Sequence, residues 1–252
     1  MLPTLHEPTF AKEVKEVYNG CTDPYKNFIL RMVIAISIQK MDPQYAGLAD
    51  SFYLGALAYL EGAVRPMNLG TLQCCALIAQ YSVVTPTRTA SYWVVGLATR
   101  LCQELEITDE ETITHDEVGN KLDLLQVDMR RRLFWIITSM EYGLSHSLGR
   151  PNAFGTTPDH INVNFFETVD DQYITPRGVL PGSPSCIKKR IAIHFFKMRL
   201  LQAEMRRKLY LCKRDEPKDD QDPWFVTMEA KLEHWKASSP RNDEGSGLNE
   251  IW

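Results

Sequence analysis

The feature that most constrains this chain is the run Met129-Arg130-Arg131-Arg132-Leu133-Phe134-Trp135-Ile136-Ile137-Thr138-Ser139-Met140-Glu141-Tyr142, which continues to Leu148-Gly149-Arg150-Pro151. Leu122, Leu125, Met129, Leu133, Ile136, Met140 and Leu144 recur at steps of three and four, the spacing that stacks side chains on one face of an α-helix. Phe134, Trp135 and Ile137 fall off that face, so the segment from Leu133 to Thr138 is apolar nearly all round. A helix of that kind sits inside a bundle rather than on its surface. Successive helical residues turn by about 100°, so Arg130, Arg131 and Arg132 fan over more than half the circumference just where the apolar section begins. At least one guanidinium must face protein. An uncompensated charge there would cost several kcal/mol, which predicts a buried partner for one of these arginines or for Arg100. Asp128, Glu141 and Glu104 are the nearest carboxylates in sequence.

The rest of the chain reads as further helices. Apolar periodicity predicts them over 25–40, 45–64, 69–84, 90–105, 187–213 and 224–235, with Asn68 and Ser185 as N-caps, after a proline-containing opening segment, 1–10. Segment 108–120 is acidic and reads as a solvated loop. Prolines and glycines from Pro151 to Pro184 forbid long helix, and 159–166 reads as a short extended piece within that loop. The fold class is therefore all-α: a multi-helix bundle around a central buried helix, with one long Pro/Gly-rich loop region.

Composition bears mainly on what the chain does not do. A net charge of −4 over 252 residues gives no general attraction to nucleic acid or acidic membranes. No stretch approaches the ~20 apolar residues of a membrane span, and no membrane partner is expected. The six cysteines form no CxxC pair and read as reduced, buried thiols. The histidines are dispersed, none at a helical metal spacing from another. GxGxxG, P-loop, HExxH and GxSxG patterns are absent, and the carboxylates cluster in polar loops, so catalysis has no visible seat. One local imbalance stands out: the 187–214 segment carries Lys188, Lys189, Arg190, Lys197, Arg199, Arg206, Arg207, Lys208, Lys213 and Arg214 against Glu204. It reads as a solvated face or one paired with acidic neighbours such as 108–120, with a nucleic-acid surface as the alternative.

Tyr92-Trp93-Val94-Val95-Gly96-Leu97-Ala98-Thr99-Arg100-Leu101-Cys102-Gln103-Glu104-Leu105, the acidic loop, Arg130-Arg131-Arg132-Leu133-Phe134-Trp135 and Leu148-Gly149-Arg150-Pro151 together resemble the middle homology region of fungal zinc-cluster transcription factors. Order and spacing agree. Leu2-Pro3-Thr4-Leu5-His6-Glu7-Pro8-Thr9-Phe10 is similar to that region's start, and Thr157-Pro158-Asp159-His160-Ile161-Asn162-Val163 to its tract after the central helix. The chain departs from the pattern at Leu105-Glu106-Ile107-Thr108, where the family commonly has Leu-Gly-Leu-His, and at Asn162, where an aspartate is common.

The resemblance implies a nuclear regulatory domain over 1–237, shortened at its C-terminal side, followed by a polar tail at 238–252. Such a domain restrains or licenses transcriptional activation, with a small metabolite as effector. Its motif positions are Trp93, Gly96, Arg100, Arg131, Arg132, Phe134, Trp135, Gly149, Arg150 and Pro151, structural or regulatory in role rather than catalytic. Gly96 is expected to let the Trp93–Arg100 face approach another helix, and Phe134 and Trp135 to be core. The family's zinc-cluster module is not recognisable here, so no cofactor is expected in this chain, zinc belongs to that module, and DNA is reached only through it. Expected partners are a small-molecule effector, the transcription machinery or co-regulators, and a second copy in a homodimer. The rival readings are an all-helical enzyme and a helical dimerisation scaffold without effector.

Overall fold

A computed structural model describes residues 2–116, 118–152, 154, 161–211 and 219–241. The described residues form an all-α bundle with one very small hairpin. Its helices are α1 (Glu7–Tyr18), α2 (Pro24–Met41), α3 (Ala46–Leu57), α4 (Leu60–Val64), α5 (Leu69–Val84), α6 (Ser91–Glu104), α7 (Glu110–Ile113), α8 (Leu124–Ser147), α9 (Ile187–Arg206) and α10 (Pro223–Ala237). The hairpin pairs β1 (Ile174–Thr175) with β2 (Gly178–Val179).

Local chemistry sets the helix ends. Asp23 accepts the Lys26 N–H and Pro24 opens α2, because proline's missing donor is one that a first turn would leave unused. Asn68 with Thr71, and Asp123 with Gln126, form reciprocal capping boxes at α5 and α8. Asp222 caps α10 more simply, accepting the Trp224 N–H. Ser185 does not cap α9: the N-cap is Cys186, which makes no side-chain cap bond, while Ser185 lies in a bridge with Val169.

Other expectations are corrected. The single helix read over 45–64 breaks into α3 and α4, and α4 turns onto the start of α2, where a side chain at Gly62 would lie 2.8 Å from Pro24. The opening segment becomes helical from Glu7. Segment 108–120 is not simply solvated, for it holds α7 and buries Ile113. In the long loop, Ile161–Phe166 has no regular hydrogen-bonded structure, and Thr157 to His160 lie outside the described residues. So do 212–218 and 242–252, including most of the tail read at 238–252. The apolar faces of the late helices are partly covered: Met228 is buried and Trp235 stacks on His194 at 4.4 Å.

The core has two parts. Phe28, Met32, Ile36, Tyr53, Leu77 and Val95 centre a cluster of α2, α3, α5 and α6. Leu101, Ile107, Leu133, Trp135, Phe166 and Phe196 centre a second, built by α6, α8, α9 and the loop. Cys75 and Met140 touch both, so α5 and α8 form the shared wall. This explains why α8 is buried on every side through its middle, as its composition demands.

Two helix ends test the same rule in opposite directions. After α6, Ile107 N–H bonds Cys102 O at 3.0 Å and Glu106 N–H bonds Gln103 O at 3.1 Å, a Schellman stop with Glu106 held at φ +52. After α8, Arg150 N–H bonds Ser145 O at 2.9 Å and Gly149 N–H bonds His146 O at 3.2 Å, with Gly149 at φ +64. The left-handed conformation costs an ordinary L-residue about 1–2 kcal/mol. Glu106, at the position where the resembled family has glycine, therefore carries strain that Gly149 avoids. Glu106→Gly is expected to raise the unfolding free energy by about 0.5–1 kcal/mol, and Gly149→Ala, whose new methyl would meet nothing, to lower it by about 1 kcal/mol. Urea midpoints of the two variants check the pair of signs.

Candidate functional site

Each of the three arginines that open the apolar section of α8 has its own partner. Arg132 is fully buried. Its Nη2 lies 2.7 Å from Asp128 Oδ2 and 2.6 Å from Asp171 Oδ1, and its Nη1 donates to Asp171 Oδ2 at 3.2 Å and to Leu5 O at 3.3 Å. Lys189 of α9 reaches Asp171 Oδ1 at 2.6 Å and Val169 O at 2.7 Å. The Glu7 N–H donates to Asp171 Oδ2 at 2.8 Å and the Glu167 N–H to Asp128 Oδ1 at 2.7 Å. Two carboxylates thus face two cations, and the remaining oxygens accept backbone N–H groups. Burial by itself would push the Asp171 carboxyl up, but the Arg132 bond and charge, then Lys189 and Glu7, hold it well below the usual carboxylate range.

Asp128 was legible as a partner from its position four residues before Arg132; Asp171, which does more, was not. Arg131 pairs with Glu110, whose Oε2 also accepts the Asn164 N–H at 2.8 Å. Arg130 donates to Thr112 O at 3.2 Å and His115 O at 3.0 Å. These two arginines clamp α7, so segment 108–120 is paired with α8. The charge surplus of α9 is met elsewhere in part, by Lys189 on Asp171 and Arg206 on Arg150 O at 2.6 Å, while its one acid, Glu204, is taken by Lys231 of α10 at 2.6 Å.

Phe134 and Trp135 lie in the second cluster. Trp135 stacks on Phe165 at 4.4 Å and donates Nε1–H to Asn164 O at 3.0 Å, fastening the loop to α8. Gly149 and Arg150 form the helix stop, and the Arg150 guanidinium covers the Tyr92 ring at 4.6 Å. Pro151 follows in an exposed position. Trp93, Gly96 and Arg100 do not meet another helix: Trp93 is 63% exposed, Arg100 is exposed, and a methyl at Gly96 would touch nothing. The expected close approach of that face is absent among the described residues. The motif residues are therefore distributed over a core, a latch, a helix stop and an open face, and do not converge on one cavity.

The cavity lies elsewhere. A space of about 520 Å³ opens between the C-terminal end of α5, the second half of α8 and α9 as far as Arg199, with Met140, Leu144, Ile191 and Phe195 on its walls and Val83 and Val84 at α5. Ser139, Gly143 and Ser147 repeat at steps of four along α8 and leave room on that face. That column of small residues was the signal available in the sequence. Lys40, Lys188 and Arg199 supply the charged groups of the lining, which contains no carboxylate among the described residues. A second cleft, of about 560 Å³ and polar, lies between Arg130, Glu104, Glu106 and α7. Among the described residues no group of three or more His, Cys, Asp or Glu side chains is arranged to hold a metal ion, and no helix is long and apolar enough to cross a membrane. Cys21, Cys74, Cys75, Cys102 and Cys186 are free thiols, and burial pushes Cys75 up to about 11.

Comparison with known proteins places this architecture. The chain is 28% identical over 189 residues to the positive regulator of purine utilization of Emericella nidulans, covering 62% of this chain and 18% of that protein. It is 28% identical over 197 residues to pyrimidine pathway regulatory protein 1 of Saccharomyces cerevisiae, covering 73% and 21%. With an ABC-transporter-regulating transcription factor of Aspergillus fumigatus it shares 25% identity over 252 residues, 95% of this chain and 27% of the other. The chain thus spans about a fifth to a quarter of the length of these relatives. No solved structure matches it significantly. A sequence profile described as the fungal specific transcription factor domain matches residues 1–237, and the chain belongs to that family.

Proposed function

We propose that this regulatory domain acts in the nucleus as a ligand-responsive switch, setting the activity of a transcription factor whose DNA-reading and activating parts are separate from it. The observation that carries the reading is the cavity of about 520 Å³ at the junction of α5, α8 and α9, where Met140 joins the two core clusters. Pockets that hold small ligands run to about 300–1,000 Å³ and are mostly apolar with a few polar groups. A ligand that binds one packing of the clusters better than another shifts the balance between them by that difference in affinity. On this reading the chain takes no zinc of its own, performs no catalysis, and meets co-regulators or a second copy through its exposed faces.

The test is a reporter assay in which the chain is placed between an unrelated DNA-binding module and an unrelated activating segment. Reporter output is expected to fall about tenfold relative to the same two parts joined by a flexible linker, and to recover when Met140→Trp fills the cavity. Equal output with and without the chain would overturn the regulatory reading; repression that ignores the filled cavity would overturn the ligand switch.

A further inference from the structure

Resting on the reading of this cavity as a ligand site, we infer that its occupant is an amphipathic oxyanion, with an apolar body among Met140, Leu144 and Ile191 and an anionic head on Arg199. Among the described residues Arg199 is the inward-facing cation that meets neither a carboxylate nor a backbone carbonyl. Arg132 meets two aspartates, Lys189 meets Asp171, and Arg206 meets a carbonyl and Asn152. The Arg199 Nε is buried without a hydrogen-bond partner, and the one side-chain bond of this guanidinium among the described residues runs from Nη1 to Gln202 Oε1 at 2.8 Å. Its position is nevertheless fixed. One contact is the backbone of Gly143, where an added Cβ would lie 3.1 Å from Cζ and 3.4 Å from Nε, and another is the Phe195 ring at 4.8 Å.

A guanidinium held in place and left with unused donors is prepared for an oxyanion, since planar N–H groups match carboxylate or phosphate oxygens. Lys40 and Lys188 add charge of the same sign, and no lining residue among those described opposes it. The apolar walls decide the rest: a small inorganic anion would leave them unfilled, whereas an amphiphile satisfies both wall and charge. Desolvation lowers the Arg199 pKa, in keeping with a charge taken out of water ahead of its partner.

The experiment is titration calorimetry of the purified chain with decanoate, decanol and inorganic phosphate, repeated on Arg199→Met and Gly143→Ala. Decanoate is expected to bind at least about tenfold tighter than decanol. Arg199→Met should bring the two within about twofold, and without ligand should melt no lower than the parent chain, because it removes a half-buried charge that meets no carboxylate among the described residues while keeping an apolar stem. Gly143→Ala, which displaces the guanidinium, should weaken decanoate by at least about fivefold more than decanol, so the result does not hang on one variant. Decanol binding as tightly as decanoate would overturn the anionic head and leave the cavity reading standing. Binding of neither amphiphile would overturn the cavity reading itself. Phosphate binding as tightly as decanoate would overturn the amphipathic body.

Discussion

Arg132→Ala is expected to lower the unfolding free energy by about 3–5 kcal/mol, because it leaves two buried aspartates facing one lysine. The Asp128 carboxylate loses its ion-pair partner, and Asp171 keeps Lys189 and the Glu7 N–H. Arg131→Ala frees a half-buried Glu110 and Arg130→Ala frees two carbonyls of the α7 region, losses of about 1 kcal/mol each. Arg100→Ala, on an exposed face, should change stability by under about 0.5 kcal/mol. Urea midpoints for the four variants read this order directly, and four near-neutral results would remove the hub as a source of stability.

The same hub sets an acid dependence. The folded-state pKa of Asp171 is depressed, so its contribution is present in full above the carboxylate's ordinary range and is lost as pH falls through the folded value. The parent chain is expected to lose stability steadily below about pH 5, and Arg132→Ala to show a shallower slope there because the main cause of the depression is gone. Urea midpoints between neutral and acid pH provide the check, with equal slopes counting against the assignment.

Trp135→Ala is the second large effect, about 3–5 kcal/mol, since it removes a buried ring from the second cluster and unfastens the loop. The stack on Phe165, the edge contact with Phe134 and the bond to Asn164 O all disappear together. Trp135→Phe keeps most of the ring area and loses the hydrogen bond, leaving one carbonyl to solvent at a cost of about 1 kcal/mol. Amide exchange at Val163 and Phe166 separates a tether from a plain packing role. In the alanine variant those amides should exchange at least about tenfold faster relative to the α2 and α5 amides. An unchanged ratio would mean that the loop is held by other contacts.

The helices were legible where apolar spacing and capping agreed. Asn68 at α5 and the apolar girth of α8 are cases where one rule sufficed. The division of α3 from α4 was hidden, because no proline or glycine marks the turn at Ala58 and Tyr59, and Pro24, which lies against Gly62 of α4, comes from another part of the chain. A buried arginine could be required from the sequence, and Asp128 could be nominated, but Asp171 could not, since nothing local marks a loop carboxylate that will fold beneath a helix. The motif around Trp93 and Gly96 suggested a helix contact and instead faces outward. The cavity was hardest to see, because it is made by what α8 lacks at Ser139, Gly143 and Ser147 and by the unrelated helix α9.

The Asp171 hub also bears on the order of assembly. It joins the carbonyl of Leu5 and the N–H of Glu7 to side chains from α8, the loop and α9, with sequence separations of 127 residues for Arg132 to Leu5 and 164 for Glu7 to Asp171. The buried members of the cluster centred on Phe28, Tyr53 and Leu77 all lie in chain up to Val95 and can collapse early on shorter-range contacts, with Met140 and Leu144 packing on later. The hub cannot close until Lys189 has been synthesised and α9 has docked. Closure is therefore a late, long-range step, and a nascent chain that has made α8 without α9 holds Arg132 and Asp128 but lacks the lysine that balances Asp171.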